Sequence, residues 1–157
     1  MVETPDPKTS LPLSLDPRKV FRQRLEIEGD IAVSALSRLC ESLLDNEGVA
    51  RASLSFLVDE ERRLRIQGAV SAEVSTVCQR CLKPMKTQLN DKIDLVLVNS
   101  EDRMKQLPST LDPWFCGEDE MLVPADIVEE QLILAMPIVT LHDECIDLTN
   151  GYGGAAN

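Results

Sequence analysis

The expected fold follows from residues 77–84, which have the sequence VCQRCLKP. They place Cys78 and Cys81 at Cys-x-x-Cys spacing, directly after a stretch that alternates apolar and polar residues as a β-strand does. Two thiols at this spacing on one tight turn can reach a single metal ion or each other. The stretch therefore predicts a turn between two strands that holds half of a metal site or a redox pair.

A second pair of metal-binding residue types follows far along the chain. His142, the only histidine, stands three residues before Cys145. Two short, well-separated pairs of soft ligands are typical of a four-ligand zinc site. Cys78, Cys81, His142 and Cys145 are therefore the candidate ligands of a structural zinc ion, because a closed Cys₃His set leaves no position for water. The alternative is a turn without metal and a histidine on the surface.

The cysteine pair also permits a thiol-redox interpretation, since Arg80 and Lys83 would favour a thiolate. Redox pairs usually begin a helix, whereas Pro84 and a further alternating stretch follow here, which disfavours this interpretation. Hydrolytic and acid–base catalysis lack their usual residues, because the chain has one histidine, no Gly-rich phosphate loop and no Gly-x-Ser-x-Gly. We predict that the protein is not an enzyme.

Composition and length favour one soluble domain. The 157 residues are 43% apolar but only 3% aromatic, so the core must consist mainly of aliphatic side chains. No apolar stretch approaches the roughly 20 residues that cross a bilayer, and the N-terminal residues do not resemble a secretory signal. Five cysteines, an odd number, favour a reducing compartment. The predicted location is the cytoplasm.

The net charge of −11 is unevenly distributed. Residues 1–100 carry 14 Lys and Arg against 15 Asp and Glu, whereas residues 101–157 carry 2 against 12. Such an acidic region repels nucleic acid and would attract a basic protein. The simpler interpretation is that these acids maintain solubility.

Apolar–polar alternation predicts most of the secondary structure. It predicts a first strand that begins near Phe21, a hairpin of two strands at residues 50–58 and 64–74, and a further strand at 89–97. Apolar residues spaced three and four positions apart predict a helix over residues 34–44. Gly68 interrupts the second hairpin strand and predicts a bulge.

The remaining segments complete an α+β domain. Residues 11–17 should be extended, residues 99–120 should form a loop with one helical turn at most, and Pro124 should open a buried helix. The predicted fold is an antiparallel, curved sheet of about 4–6 strands, one helix after the first strand and a buried C-terminal helix. The cysteine turn is compatible with a zinc-ribbon-like knuckle.

Basic residues on the polar strand faces and near the cysteine turn are candidates for contact with RNA. Phosphate contact requires a positively charged patch but no particular sequence. No aromatic ladder accompanies these residues, which disfavours sequence-specific reading of single strands. The alternative is an ordinary solvated strand face. The candidates are Arg22, Arg24, Arg63, Arg65, Arg80, Lys83 and Lys86.

Three stretches in this order resemble a known family. They are residues 11–17 (LPLSLDP), 78–84 (CQRCLKP) and 130–142 (EQLILAMPIVTLH). Together they are similar to the YceD family, the large ribosomal RNA subunit accumulation proteins of bacteria and plastids. The resemblance implies a single YceD-like domain over residues 11–148. The polar residues 1–10 predict a disordered segment, and the Gly-rich end predicts a flexible tail at 149–157.

The resemblance also implies a function. It suggests a cytoplasmic, non-enzymatic factor in ribosome large-subunit biogenesis that supports accumulation of 23S ribosomal RNA, with no membrane and no small-molecule substrate. Its partner would be the pre-ribosomal large subunit. Two modes of action stay open: contact with ribosomal RNA through the basic strand face, or an acidic adaptor that holds a basic ribosomal protein through residues 101–147.

Overall fold

The computed structural model describes residues 10–139 and Leu141. Within them, five strands form one open sheet, accompanied by four helices and one 3₁₀ turn. The predicted disordered segment and flexible tail lie outside the described residues, except for Ser10. The elements in chain order are α1 (Pro17–Arg22), β1 (Glu26–Ala32), a 3₁₀ turn (Val33–Ala35), α2 (Ser37–Cys40), β2 (Val49–Val58), β3 (Leu64–Val77), β4 (Pro84–Val98), α3 (Glu101–Lys105), β5 (Asp112–Phe115) and α4 (Pro124–Ala135).

The sheet has the strand order β1-β2-β3-β4-β5. Strands β1 to β4 form an antiparallel meander, which confirms the predicted α+β class and strand number. The fifth strand pairs parallel to β4, so the sheet is mixed and not antiparallel throughout. Parallel neighbours need a crossover, and the segment 99–111 with helix α3 provides it.

One face of the sheet carries the core. Alternate residues of β2 and β3, among them Leu54, Phe56 and Ile66, are buried, as alternation requires. Helix α4 covers this face and is buried at Ile127 and Leu132, which confirms the predicted C-terminal helix and its start at Pro124. The polar residues that alternate with the core positions lie on the other face of the sheet.

The predicted first strand is present as β1, but its predicted start at Phe21 is wrong, because this residue lies in helix α1. The Asp16 side chain accepts a hydrogen bond from the Arg18 N–H at 3.0 Å and Pro17 occupies the first turn, two strong start signals for a helix. Phe21 still reaches the core, where its ring meets that of Phe56 edge to face at 5.5 Å.

The helix predicted over residues 34–44 is present in shortened form, as the 3₁₀ turn and α2. Its apolar stripe is correct, since Leu36 and Leu39 are buried. After α2 the chain turns to the sheet, where the Leu44 N–H donates to the Ser75 carbonyl of β3 at 2.8 Å. Tertiary pairing therefore replaces the last helical turns.

Gly68 lies in regular pairing, opposite Leu54 on one side and Ile93 on the other, so the predicted bulge is wrong. A Cβ atom at this position would lie 1.8 Å from the Ser53 carbonyl oxygen. Glycine is required here by a close approach of two backbones.

The N-terminal segment is extended, as predicted, and is tied to a distant part of the chain. Leu15 and Leu122 exchange backbone hydrogen bonds of 2.7 and 2.8 Å. The predicted loop at 99–120 contains helix α3 and strand β5. No helix within residues 10–139 and 141 is long and apolar enough to cross a membrane.

Candidate functional site

The Cys-x-x-Cys turn joins two paired strands, as predicted. Val77 ends β3 opposite Pro84, which begins β4. The Cys78 N–H donates to the Lys83 carbonyl at 3.0 Å, and the Leu82 N–H donates to the Cys78 carbonyl at 2.8 Å. Leu82 adopts a left-handed φ of 64°, which lets the chain reverse within this short connection.

The two cysteines of this turn differ in exposure. Cys78 is fully buried, whereas Cys81 is half-buried. Two thiols on one turn, shielded from solvent, are a donor set that suits half of a zinc site. The other two candidate ligands, His142 and Cys145, lie outside the described residues. Within residues 10–139 and 141, no group of three or more His, Cys, Asp or Glu could hold a metal ion.

The turn lies at the end of a two-stranded arm, defined here as residues 74–87. Pairing between β2 and β3 ends at Ala72, so the arm extends past the end of β2. Residues 74–90 contain no Asp or Glu. The arm carries three of the predicted RNA-contacting residues: Arg80 is half-buried, and Lys83 and Lys86 are exposed.

Lys86 is held in place on the arm. Its Nζ donates to the Ser75 hydroxyl at 2.9 Å, across the β3–β4 pair. Among residues 10–139 and 141, no carboxylate forms an ion pair with this ammonium group, so its positive charge is not compensated there. The exposed Leu82 lies beside Lys83 at the turn, with 73% of its surface accessible. The end of the arm therefore presents cationic and apolar groups side by side.

The other predicted residues lie at the opposite end of β3. Arg22 ends helix α1 and Arg24 lies in the turn before β1, so neither lies on a strand face, although both are exposed. Strand β3 spans 14 residues, or about 45 Å at 3.3 Å per residue. The seven candidates thus form two separate groups.

Arg63 and Arg65 are engaged in ion pairs. Arg63 contacts Asp59 at 3.6 Å and Glu61 at 3.2 Å, and Arg65 contacts Asp59 at 3.3 Å and also Asp94. Only 12% of the Arg65 side chain is exposed. Their charges are largely compensated by these carboxylates, so a phosphate would have to compete with them.

Asp59 organises the β2–β3 turn. Its Oδ1 accepts hydrogen bonds from the N–H groups of Glu61 and Arg63 at 2.9 and 2.8 Å. Burial opposes ionisation, but these bonds and the one from Arg65 outweigh it and hold the pKa of Asp59 below its ordinary value. The turn is therefore built on an ionised carboxylate.

Two further basic residues lie beside this turn, and neither lies on a strand face. Arg62, in the turn, and Arg103, in helix α3, border a cleft of about 780 Å³. Arg103 falls in the predicted loop at 99–120, and no local sequence pattern indicates that α3 packs near the β2–β3 turn. The described part of the acidic region carries these exposed carboxylates: Glu101, Asp102, Asp112, Glu118, Asp119, Glu120 and Asp126.

Comparison with known proteins identifies the family. The family described as "Large ribosomal RNA subunit accumulation protein YceD" matches residues 66–157. A protein of that name from Haemophilus influenzae is 35% identical over 135 residues, which cover 86% of this chain and 78% of the relative. The chain belongs to the YceD family. No solved structure matches it.

The YceD match includes the arm and helix α4. It begins at Ile66, early in β3, and therefore omits all elements from α1 to β2. The alignment with the Haemophilus relative is longer and covers 86% of the chain. Both cysteines of the turn and all three basic residues of the arm fall within the family match. Arg62, Arg63 and Arg65 fall outside it.

Proposed function

We propose that this protein supports accumulation of the large-subunit ribosomal RNA by binding and not by catalysis, and that it acts in the cytoplasm on the pre-ribosomal large subunit. The family and the name of the Haemophilus relative support the role in ribosomal RNA accumulation. We further propose that the arm is the surface that contacts RNA.

A single observation carries the RNA proposal: the arm is a cationic surface on a strongly acidic protein. Overall the chain carries a charge of −11, yet residues 74–90 hold Arg80, Lys83 and Lys86 and no acid. A phosphate approaching elsewhere on the described sheet meets carboxylates such as Asp59 and Asp94, which already pair with arginines. At the end of the arm it meets Lys83 and Lys86, which pair with no carboxylate of residues 10–139 and 141. Such electrostatic contact is independent of base sequence. The zinc site proposed below would bring Asp143 and Glu144 to this turn, so RNA binding is measured on protein of known metal content.

The test compares two double variants with the same change in charge. Lys83→Gln with Lys86→Gln removes two charges from the arm, and Lys92→Gln with Lys105→Gln removes two exposed charges elsewhere. Binding to a 23S ribosomal RNA fragment is measured over a range of salt concentrations. Each phosphate contact contributes about 0.7–0.9 to the slope of log K against log salt.

We expect the arm variant to bind RNA more weakly and to have a salt slope whose magnitude is smaller by about 1–2. The control variant should keep the affinity and the slope of the unaltered protein. Equal losses in the two variants would show that net charge alone matters and would refute the arm as the contact surface. Circular dichroism checks that all variants retain the fold.

A second candidate function is that of an acidic adaptor for a basic ribosomal protein. The exposed, consecutive carboxylates Glu118, Asp119 and Glu120 between β5 and α4 support it. Neutralising these three residues should weaken a complex with a basic ribosomal protein and leave RNA binding unchanged. The matched control neutralises three exposed acids between α2 and β2, namely Glu41, Asp45 and Glu47.

We also propose that Cys78 and Cys81 bind a structural zinc ion together with His142 and Cys145. Support comes from the ligand types, their spacing and the shielded turn that carries the first pair. Such an ion would stabilise the turn of the arm and would have no catalytic role, because four protein ligands close its coordination sphere.

Metal content of the purified protein tests this proposal. One zinc per chain is expected, lost on Cys78→Ser and retained on Cys116→Ala, which removes a thiol from outside the proposed set. A protein that contains no metal after purification without chelator, and takes up none on addition of zinc, would contradict the proposal. The pair would then be examined as a thiol-redox element by titrating its reduction potential.

A further inference from the structure

A cleft at the end of the sheet opposite the arm has the features of a ligand site. It has a volume of about 780 Å³, within the range of about 300–1,000 Å³ that is common for small-molecule sites. It lies between the β2–β3 turn, helix α3 and the segment after β5. Helix α1 and the end of β4 complete its walls, which therefore come from five parts of the chain.

The cleft combines an apolar floor with a charged rim. The floor includes the half-buried side chains of Leu64, Leu97 and Leu107, and Leu64 lies opposite Leu97 in the β3–β4 pair. Four arginines border it, namely Arg18, Arg62, Arg63 and Arg103.

Two of these arginines are already committed to partners. Arg18 donates to the Glu118 carbonyl at 3.3 Å, and Arg63 pairs with Asp59 and Glu61. In the described part of the chain, Arg62 and Arg103 make no ion pair. Arg62 also holds a left-handed φ of 65°, where a turn alone would favour glycine or asparagine.

Carboxylates on the rim restrict what the cleft can accept. Glu61, Glu118 and Asp119 border it and would repel a dense run of phosphates. They can accept hydrogen bonds from hydroxyl or amino groups. A compact ligand with one phosphate, one apolar ring and hydroxyl or amino donors satisfies the arginines, the floor and the carboxylates together.

We infer that this cleft binds a single nucleoside phosphate, with the phosphate at Arg62 and Arg103, the base on the apolar floor and the ribose or amino groups toward the rim carboxylates. Two sources share this chemistry: a free nucleotide, or one unpaired nucleotide of an RNA strand. The site is about one β3 length from the arm, so the inference stands or fails independently of the arm.

Calorimetric titration of the full chain tests the inference. The probes are adenosine, guanosine, cytidine and uridine 5′-monophosphates, inorganic phosphate, and a single-stranded RNA hexanucleotide. The variant Arg62→Gln with Arg103→Gln removes the proposed phosphate contacts. Lys19→Gln with Lys105→Gln is the control, because it removes the same charge from α1 and α3 at residues that do not line the cleft.

We expect saturable binding of at least one monophosphate, weakened about tenfold or more in the arginine variant and unchanged in the control. Inorganic phosphate should bind more weakly because it cannot use the floor. Tighter binding of the hexanucleotide than of the monophosphates identifies RNA as the source, and the reverse identifies a free nucleotide.

Three results would overturn the inference: no saturable binding of any nucleotide or of the hexanucleotide, equal affinity for inorganic phosphate, or equal losses in the arginine and lysine variants. If the arginine variant unfolds, amide chemical shifts of the unaltered protein decide. Monophosphate must then perturb Leu64 and Val96–Val98, and perturbations confined to the arm would also refute the site.

Discussion

Replacing Glu129 by alanine should destabilise the protein more than any other single carboxylate substitution in helix α4. This carboxylate is buried, with 9% of its side chain exposed. Its Oε2 accepts hydrogen bonds from the backbone N–H of Arg38 at 2.7 Å and of Leu39 at 3.2 Å. It thereby caps the first turn of α2 from another helix, a role that Leu36 at the N-cap position cannot perform.

The expected cost follows from the groups left behind. In Glu129→Ala the N–H groups of Arg38 and Leu39 lose their acceptor, and an unsatisfied buried donor costs about 1–3 kcal/mol. Leu39 is fully buried, so water cannot readily replace the carboxylate there. Allowing partial rescue of the Arg38 group, we expect a loss of about 2–4 kcal/mol. Glu129→Gln keeps one neutral acceptor and should lose about 1–2 kcal/mol.

Urea unfolding at neutral pH, followed by far-ultraviolet circular dichroism, measures these losses. The matched control is Glu130→Ala, because Glu130 also pairs with Arg38, at 3.2 Å, but on the surface. Exposed pairs contribute about 0–1 kcal/mol, so the control should change little.

Equal losses for Glu129→Ala and Glu130→Ala would refute the reasoning, since they would show that the exposed ion pair and the buried cap contribute alike. A changed slope of free energy against urea in one variant alone would indicate an altered unfolded state, and the comparison would then use Glu129→Gln.

Three further predictions concern other parts of the fold. Gly68→Ala should destabilise the protein by about 2–4 kcal/mol in urea unfolding, because the added Cβ would overlap the backbone of β2. The control Gly117→Ala should cost far less, because its Cβ would meet only a flexible side chain. Similar costs for the two variants would contradict the close approach of the backbones at Gly68. The pKa of Asp59 is lower in the folded protein than in the unfolded chain, where it is about 3.9. Its ionised carboxylate therefore contributes its full stability above the unfolded pKa, and this contribution is lost as the pH falls through the folded pKa. Stability measured from pH 6 to pH 2 should therefore fall less steeply in Asp59→Asn, and parallel curves would refute this. Burial raises the pKa of the Cys40 and Cys116 thiols, so iodoacetamide should label both slowly at pH 7 in the folded protein and rapidly in urea; fast labelling without urea would contradict their burial.

Alternation identified the strands whose neighbours in the sheet are also their neighbours in sequence. β2, β3 and β4 follow it because each has one buried face, and the cysteine turn between β3 and β4 follows from the same pattern. It failed at Phe21, where a capping aspartate and a proline start a helix. It also failed at β5, whose four residues are mostly exposed and carry no alternation.

In the candidate site, too, features that are local in sequence could be predicted and contacts between distant residues could not. The basic arm follows from local sequence, since three cations and no acid surround the turn. Asp94 neutralises Arg65 across the β3–β4 pair, although the two residues are 29 positions apart. This ion pair could not be predicted without knowing the register of the two strands. Arg103 reaches the cleft only through the crossover after β4, for which the sequence carries no local signal.

The exchange of hydrogen bonds between Leu15 and Leu122 has a consequence for synthesis on the ribosome. Strands β1 to β4 can pair in order as they emerge, because each binds the strand before it. Leu15 emerges first of all these residues, yet its backbone partner follows roughly 100 residues later. At about 5–20 residues per second, that interval is on the order of 5–20 s. Ser10 and Leu11 can pair with Asp30 as soon as β1 emerges. The part around Leu15, by contrast, remains available to chaperones or proteases until translation has passed the crossover and reached helix α4.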